Sequence, residues 1–287
     1  MPDEAYCFDA FGWVAVAKSN SGTKKGEPNA EPHKAAAQSG QTLDASGLDK
    51  LVEELREAIK GRDDFLAVAS HELRNPLTPI LLGVQLIRAA VNSNDHQKLI
   101  HEVDRLERQI KHFVARTNTL LEVAQITSGK FHPDYSKFNL SELIADIVND
   151  YMPLVTRSGS DLGVKIQNDV IVVLDPMSVS GIVENLLSNA VKYGQGKPIE
   201  ISLTATAKVA RITVRDNGIG IDEKDRARIF ERFERAVGRS AQSGFGVGLW
   251  LSRSFVELMG GTITVFGEPG AGSQFTVSLP IKAGENS

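Results

Sequence analysis

FLAVASHELRNPLTPI, residues 65–80, decides how the rest of the chain is read. Leu66, Leu73 and Ile80 recur every seven residues with Leu77 between them, the spacing of a helix that packs on other helices. Pro76 disturbs that pattern, because it has no N–H and leaves the carbonyl of Glu72 without a helical partner; a kink is expected there. His71, Glu72 and Asn75 crowd the preceding turn. The seam places His71 just outside the apolar stripe, facing water, with Asn75 one turn further on. An imidazole nitrogen becomes a nucleophile when its other nitrogen is held by an acceptor, and Glu72 is placed to be that acceptor. Asn75 is placed to orient a water for the reverse hydrolysis. The other five histidines, His33, His96, His101, His112 and His132, share no spacing and have no cysteine companions that would suggest a metal.

Working outward, Leu66, Leu73, Ile80 and Ile87 form one core position, and Leu77, Val84 and Val91 the other. An earlier run, Leu48, Val52, Leu55 and Ile59, is out of phase with it, and the break falls at Gly61 to Asp64. NSND at 92–95 ends the helix and offers caps for the next. That second helix reaches about Ser128, with Leu99, Val103, Leu106, Ile110, Phe113, Leu120 and Ala124 on its seam. A lone helical hairpin leaves half of its apolar stripe wet. Doubling it into a four-helix bundle covers the stripe, so a homodimer is expected.

The 287 residues suffice for about two domains, and a hydrophobic content of 41% with 24% charged residues is that of a soluble globular protein. A net charge of −4 argues against nucleic-acid binding, and one cysteine, Cys7, excludes an internal disulfide framework. No apolar run within the chain is long enough for a membrane span, and the acidic, mixed start is no secretory signal; a cytoplasmic location is expected. Residues 1–47 read as an arm and a Ser, Gly, Pro and Lys-rich linker, poorly ordered. Residues 48–128 are the helical hairpin, 129–138 a connector that would serve as a hinge, and 283–287 a tail.

Residues 139–282 have a different texture. Helices at 141–157, 176–193 and 246–259 are interleaved with the alternating segments VKIQNDVIVVLD, IEISLTATA, ARITVRD, TITVFG and SQFTVSLP. Strand pairs mixed with helices indicate an α+β sandwich. In ENLLSNAVKYG, Asn185 and Asn189 lie one turn apart on a helix that Asp175 caps and Pro176 starts, followed by Lys192 and Tyr193. RDNGIGI ends a strand at Asp216 and runs on through Gly218 and Gly220; a carboxylate at a glycine turn accepts from an exocyclic amine while the backbone approaches a flat ring. GFGVGL sets Gly244, Gly246 and Gly248 before a helix whose N–H groups favour phosphate. Neither a Rossmann nor a Walker A spacing is present.

SHELRNPLTPI closely resembles the phosphoacceptor box of two-component sensor histidine kinases. The asparagine helix, Asp-x-Gly-x-Gly, IFERFERA and the glycine lid follow in the order of the N, G1, F and G2 boxes of that family's catalytic domain, shared with gyrase-type ATPases. The resemblance covers residues 48–282 and implies a helical-hairpin dimerisation domain followed by an α/β sandwich of the Bergerat (GHKL ATPase) type. It also implies roles. His71 would be phosphorylated from ATP, Glu72 would assist, and Asn75 would contribute to phosphatase activity. Asn189 would coordinate Mg2+ with Asn185 nearby, and Lys192, Tyr193 and Arg235 would face the phosphates. Asp216 would read the adenine amine beside Gly218 and Gly220, and Gly244, Gly246, Gly248 and Leu249 would belong to the ATP lid. The implied partner is a response-regulator receiver domain. Two departures are Asn75, where many relatives have threonine, and Val247, where leucine is usual. A gyrase-like ATPase switch and a non-catalytic dimeric scaffold are the alternatives; the first leaves the exposed histidine without a purpose, the second the asparagine and glycine boxes.

Overall fold

The structure, a computed structural model, describes residues 45–93, 95–234 and 246–282. It forms two compact units, Met1–Arg56 and Glu57–Ser287. The described part of the first is helical, and its Val52 and Leu55 are exposed. Everything that follows concerns the second.

Helix α1 (Ala45–Asn92) is continuous through both Pro76 and Pro79. Helix α2 (His96–Thr127) starts where the NSND signal places it, with the Asp95 carboxylate accepting from the Lys98 N–H at 3.0 Å. Within the hairpin the buried positions of α1 are Ala69, Gly83 and Ala90, with Leu73, Ile80 and Ile87 half-buried beside them. Small residues lie there because α2 comes close: a Cβ on Gly83 would stand 3.2 Å from Leu106 Cδ1. On α2 the facing positions are Leu99, Glu102, Leu106, Gln109, Phe113, Leu120 and Val123. The expected seam is thus split in two. Leu73, Ile80 and Ile87 serve the hairpin, whereas Leu66, Leu77, Val84, Val91, Val103 and Ile110 stay exposed in the single chain, at between 40% and 58%. Ala124 is also exposed, and Val123 takes the buried place next to it, because α2 there turns toward the second domain.

That domain opens with β1 (Ser136–Asn139), which pairs antiparallel with β3 (Ile171–Leu174). Between them come α3 (Leu140–Arg157) and β2 (Leu162–Ile166). The remaining elements are α4 (Pro176–Tyr193), β4 (Ile199–Ala205), β5 (Val209–Asp216), α5 (Gly248–Leu258), β6 (Thr262–Glu268) and β7 (Gly272–Pro280). Five strands form one sheet in the order β2-β4-β5-β7-β6, with only β2 and β4 parallel. Ala210, Ile212 and Val214 of β5 alternate inward, as do Phe275, Val277 and Leu279 of β7, and the helices cover this face. Leu186 and Leu187 of α4 are fully buried, each contributing about 2 kcal/mol by burial.

The connector expected as a hinge is anchored in this structure. Phe131 packs on Phe255 of α5 with ring centroids 5.1 Å apart, and the Tyr135 hydroxyl donates to the Leu258 carbonyl at 3.2 Å. The aromatic residues scattered through that polar stretch find the apolar side of α5, which a composition reading does not anticipate.

Candidate functional site

His71 and Asn75 are exposed on α1, and the Asn75 amide nitrogen lies 3.2 Å from His71 Nδ1. The i, i+4 spacing of one helical turn makes this contact. Glu72 is within the helix, but its side chain lies outside the described residues. Six residues before the histidine, the Phe65 ring meets Phe233 at a centroid distance of 6.3 Å, so α1 touches the foot of the IFERF segment. Phe233 has a positive φ of 66°, and its N–H donates to the Gly246 carbonyl at 3.0 Å. This bond closes the base of the loop between them. Arg235 and Gly244 fall in that loop and lie outside the described residues.

The second group of residues is built around α4. Asp175 accepts from the Met177 N–H at 3.0 Å and from the Ser178 hydroxyl at 2.7 Å, and Pro176 occupies the first turn, so the helix starts where its sequence signals place it. Val179, Ile182, Val183, Leu186, Leu187 and Ala190 fill the core stripe. That periodicity leaves Asn185, Asn189 and Lys192 on another flank, half-buried. Asn185 donates to the Ser252 hydroxyl of α5 at 2.9 Å, and Asn189 donates to Asn185 Oδ1 at 3.5 Å. The Lys192 ammonium stands 4.9 Å over the Tyr193 ring.

Asp216 ends β5 on the side where the strand's alternation places core residues, so a carboxylate occupies a position of the apolar face and is only 4% exposed. Burial raises its pKa above the ordinary aspartate value, opposed by N–H bonds from Gly218 and Ser273 and by the Lys197 charge. The Gly218 N–H reaches Oδ1 at 2.8 Å. The loop that follows is pinned on two sides: Ile219 N–H donates to the Tyr193 carbonyl at 3.2 Å, and Gly270 N–H to the Ile219 carbonyl at 2.7 Å. A Cβ at Gly218 would lie 1.9 Å from the Tyr193 carbonyl oxygen; one at Gly220, where φ is +73°, would lie 1.8 Å from that of Glu268. Gly218→Ala is therefore expected to destabilise the domain by about 3 kcal/mol, lowering Tm by roughly 10 °C in a calorimetric scan. An unchanged Tm would mean that the loop is not held as described.

Gly248 opens α5, and the N-cap residue Val247 supplies no side-chain cap, so the first-turn N–H groups have no side-chain acceptor there. Leu249 packs against the core beside it. The structure thus brings Asn185, Asn189, Gly248 and Leu249 to the facing ends of α4 and α5, with the glycine loop of Asp216 resting on the end of α4. A separate recess against Asp216 is lined by Arg215, Phe266, Gly267 and Ser273. It belongs to the strand ends and lacks the asparagines. Ser252, Ser273 and the Tyr193 carbonyl were not singled out in the sequence. Ser252 stands one helical turn after Gly248, a spacing that marks it only once α4 is known to face α5.

The donor set fits a magnesium nucleotide. Among the described residues no group of three or more His, Cys, Asp or Glu could cage a metal. Mg2+ asks for less, taking one or two protein oxygens and completing its shell with phosphates and water. Side-chain amide oxygens at 185 and 189 are suitable hard donors, and the buried Asp216 is an acceptor for an amine.

Comparison with known proteins adds two family matches. Residues 61–129 match the His Kinase A (phospho-acceptor) domain, and residues 174–283 match the histidine kinase-, DNA gyrase B- and HSP90-like ATPase domain. The chain is 34% identical over 242 residues to the autoinducer 2 sensor kinase/phosphatase LuxQ of Vibrio vulnificus, covering 81% of this chain and 28% of LuxQ. It is 32% identical over 239 residues to the sensor histidine kinase RcsC of Escherichia coli, covering 82% and 25%. The chain thus spans about a quarter of the length of these curated relatives. In fold it is similar to the Acinetobacter baumannii histidine kinase AdeS, with a TM-score of 0.57 at 18% identity, covering 74% of this chain and 98% of that one. Full-length ShkA in complex with AMPPNP gives a TM-score of 0.56 at 22% identity, covering 77% and 46%.

Proposed function

Since the chain belongs to the two-component sensor histidine kinases, we propose that it transfers the γ-phosphoryl group of ATP to His71 and passes it to an aspartate of a response-regulator receiver domain. The observation that carries this reading is the exposed imidazole whose Nδ1 is met by Asn75, on a helix joined to a separate nucleotide-type domain. With Nδ1 engaged, Nε2 is the attacking atom. In the reactive tautomer the proton sits on Nδ1, and the Asn75 amide turns its oxygen toward it. Nε2 then donates its lone pair to the γ-phosphorus, and the bond to the bridging oxygen breaks as ADP leaves. Glu72 assists by taking up the developing positive charge of the ring. Asn75 orients a water when the regulator's phosphoryl group is hydrolysed, the phosphatase half of the activity.

In the second domain, residues 139–282, Asp216 accepts from the adenine amine beside Gly218 and Gly220. Lys192, Tyr193 and Arg235 face the phosphates, and Gly244, Gly246, Gly248 and Leu249 belong to the lid that closes over them. Asn189 with Asn185 holds Mg2+, which would offset charge on the phosphates when bound. Incubation with γ-labelled ATP tests the reading. An acid-labile, alkali-stable label on the chain is expected, whereas an acid-stable label or none at all would reject it.

Residues 48–128 form the dimerisation domain. Supporting this, Leu77, Leu81, Val84 and Val91 on α1 and Ile100, Val103, Ile110, Val114 and Leu121 on α2 are exposed at helical spacing. Two copies that merge these stripes make a four-helix bundle. Val84→Glu would bury a charge in that interface and is expected to weaken the dimer by about 3 kcal/mol, roughly 100-fold in Kd. Sedimentation equilibrium reads this directly, and an unaltered dimer would place the interface elsewhere.

A further inference from the structure

Ser252 lies on α5 and is nearly sealed, at 1% exposure. Its hydroxyl oxygen accepts from Asn185 Nδ2 at 2.9 Å, and Asn185 Oδ1 accepts from Asn189 Nδ2 at 3.5 Å. Gly248 crosses beside the same oxygen, where a Cβ would stand only 2.3 Å from Asn185 Oδ1. The three side chains thus form a series that begins at one buried hydroxyl on α5 and ends at the carbonyl oxygen of Asn189 on α4.

A side-chain amide has two unlike ends, so fixing its nitrogen also fixes where its oxygen points. The Ser252 hydroxyl holds the first nitrogen, the first oxygen holds the second nitrogen, and the second oxygen is left as the outward acceptor. A hard divalent cation takes amide oxygen and is repelled by the N–H edge. A flip of either amide therefore converts a ligand into the wrong pole of a dipole.

We propose that Ser252 is a positioning residue for the divalent-cation site: through Asn185 it sets the amide orientation that lets Asn189 present oxygen to the metal of a metal–nucleotide complex. This rests on the ATP-binding reading above and deepens it. Neither of the sequence boxes that carry the asparagines and glycines explains why a buried hydroxyl should stand between α4 and α5 at this point. The orientation of the two amides does.

The test uses the full chain and a fluorescent trinitrophenyl ATP analogue, titrated once with Mg2+ and once with EDTA. The quantity read is the ratio of the two dissociation constants. In Ser252→Ala the hydrogen bond is lost, and that ratio is expected to shrink about fivefold relative to the unaltered chain. In an Asn185→Ala background the same serine change should then have no further effect, since the amide it orients is gone. A merely structural role would give the same loss in both backgrounds. An unchanged ratio in Ser252→Ala, or an equal loss in the Asn185→Ala background, would overturn the proposal. Failure of the unaltered chain to bind the analogue would instead overturn the nucleotide reading, and the positioning role with it.

Discussion

His71→Gln is expected to reduce the acid-labile label from γ-labelled ATP to background, a loss on the order of 1000-fold or more, as removal of a nucleophile does. Glutamine keeps a polar side chain of similar reach but has no lone pair able to attack phosphorus. Because His71 is exposed, the substitution should shift stability by less than about 0.5 kcal/mol and leave nucleotide binding as it was. The loss would then lie in the chemistry alone. Exposure by itself does not single this histidine out, for His96, His101, His112 and His132 are exposed as well. What distinguishes His71 is the Asn75 amide 3.2 Å from Nδ1. Acid-labile label persisting in the variant would assign the phosphoryl group to one of the others and end the case for residue 71.

The second large effect concerns Asp216. Replacing it by asparagine is expected to weaken binding of an ATP analogue about 100-fold, since a charge-assisted bond to the adenine amine is exchanged for an N–H edge facing an N–H donor. The pH dependence has a defined sign. Burial raises the folded-state pKa of this carboxyl, so the fold favours its protonated form. Its contribution to stability is thus present below the ordinary aspartate range and is lost as pH rises through the raised value. Nucleotide binding runs the opposite way, because the ionised carboxylate is the better acceptor. Affinity should fall as pH drops from about 7 toward 4, beginning above the pH at which an exposed aspartate would titrate. Calorimetric titration across that range reads the trend, and Asp216→Asn should flatten it. A pH-independent affinity in the unaltered chain would show that Asp216 does not contact the base.

Much of the second domain could be read from its residues because local and tertiary signals agree there. Helix α4 occupies 176–193 as expected, since a capping aspartate, a first-turn proline and an uninterrupted apolar period all point the same way. Asp216 was visible as a carboxylate at the end of an alternating strand, although its burial follows only from which parity faces the helices. Strand β1, only SKFN, was missed because four residues carry no period of their own and become a strand by pairing with β3. The helical stripe was recognised, but its division was not. A seven-residue repeat says which side is apolar, and not how much of that side the hairpin itself consumes. Leu106 against Gly83 takes one part and leaves Val84 and Val103 outside. Ser252 was illegible for a related reason: its partner, Asn185, lies 67 positions away.

The end of α2 has a mechanical meaning. Val123 and Ile126 lie against the same apolar mass as α5, and Phe131 grips Phe255 a few residues later. A torque applied along the bundle stem therefore has only two outcomes at this joint: it drags α5, together with the hydroxyl that steadies the paired amides, or it tears the aromatic clasp open.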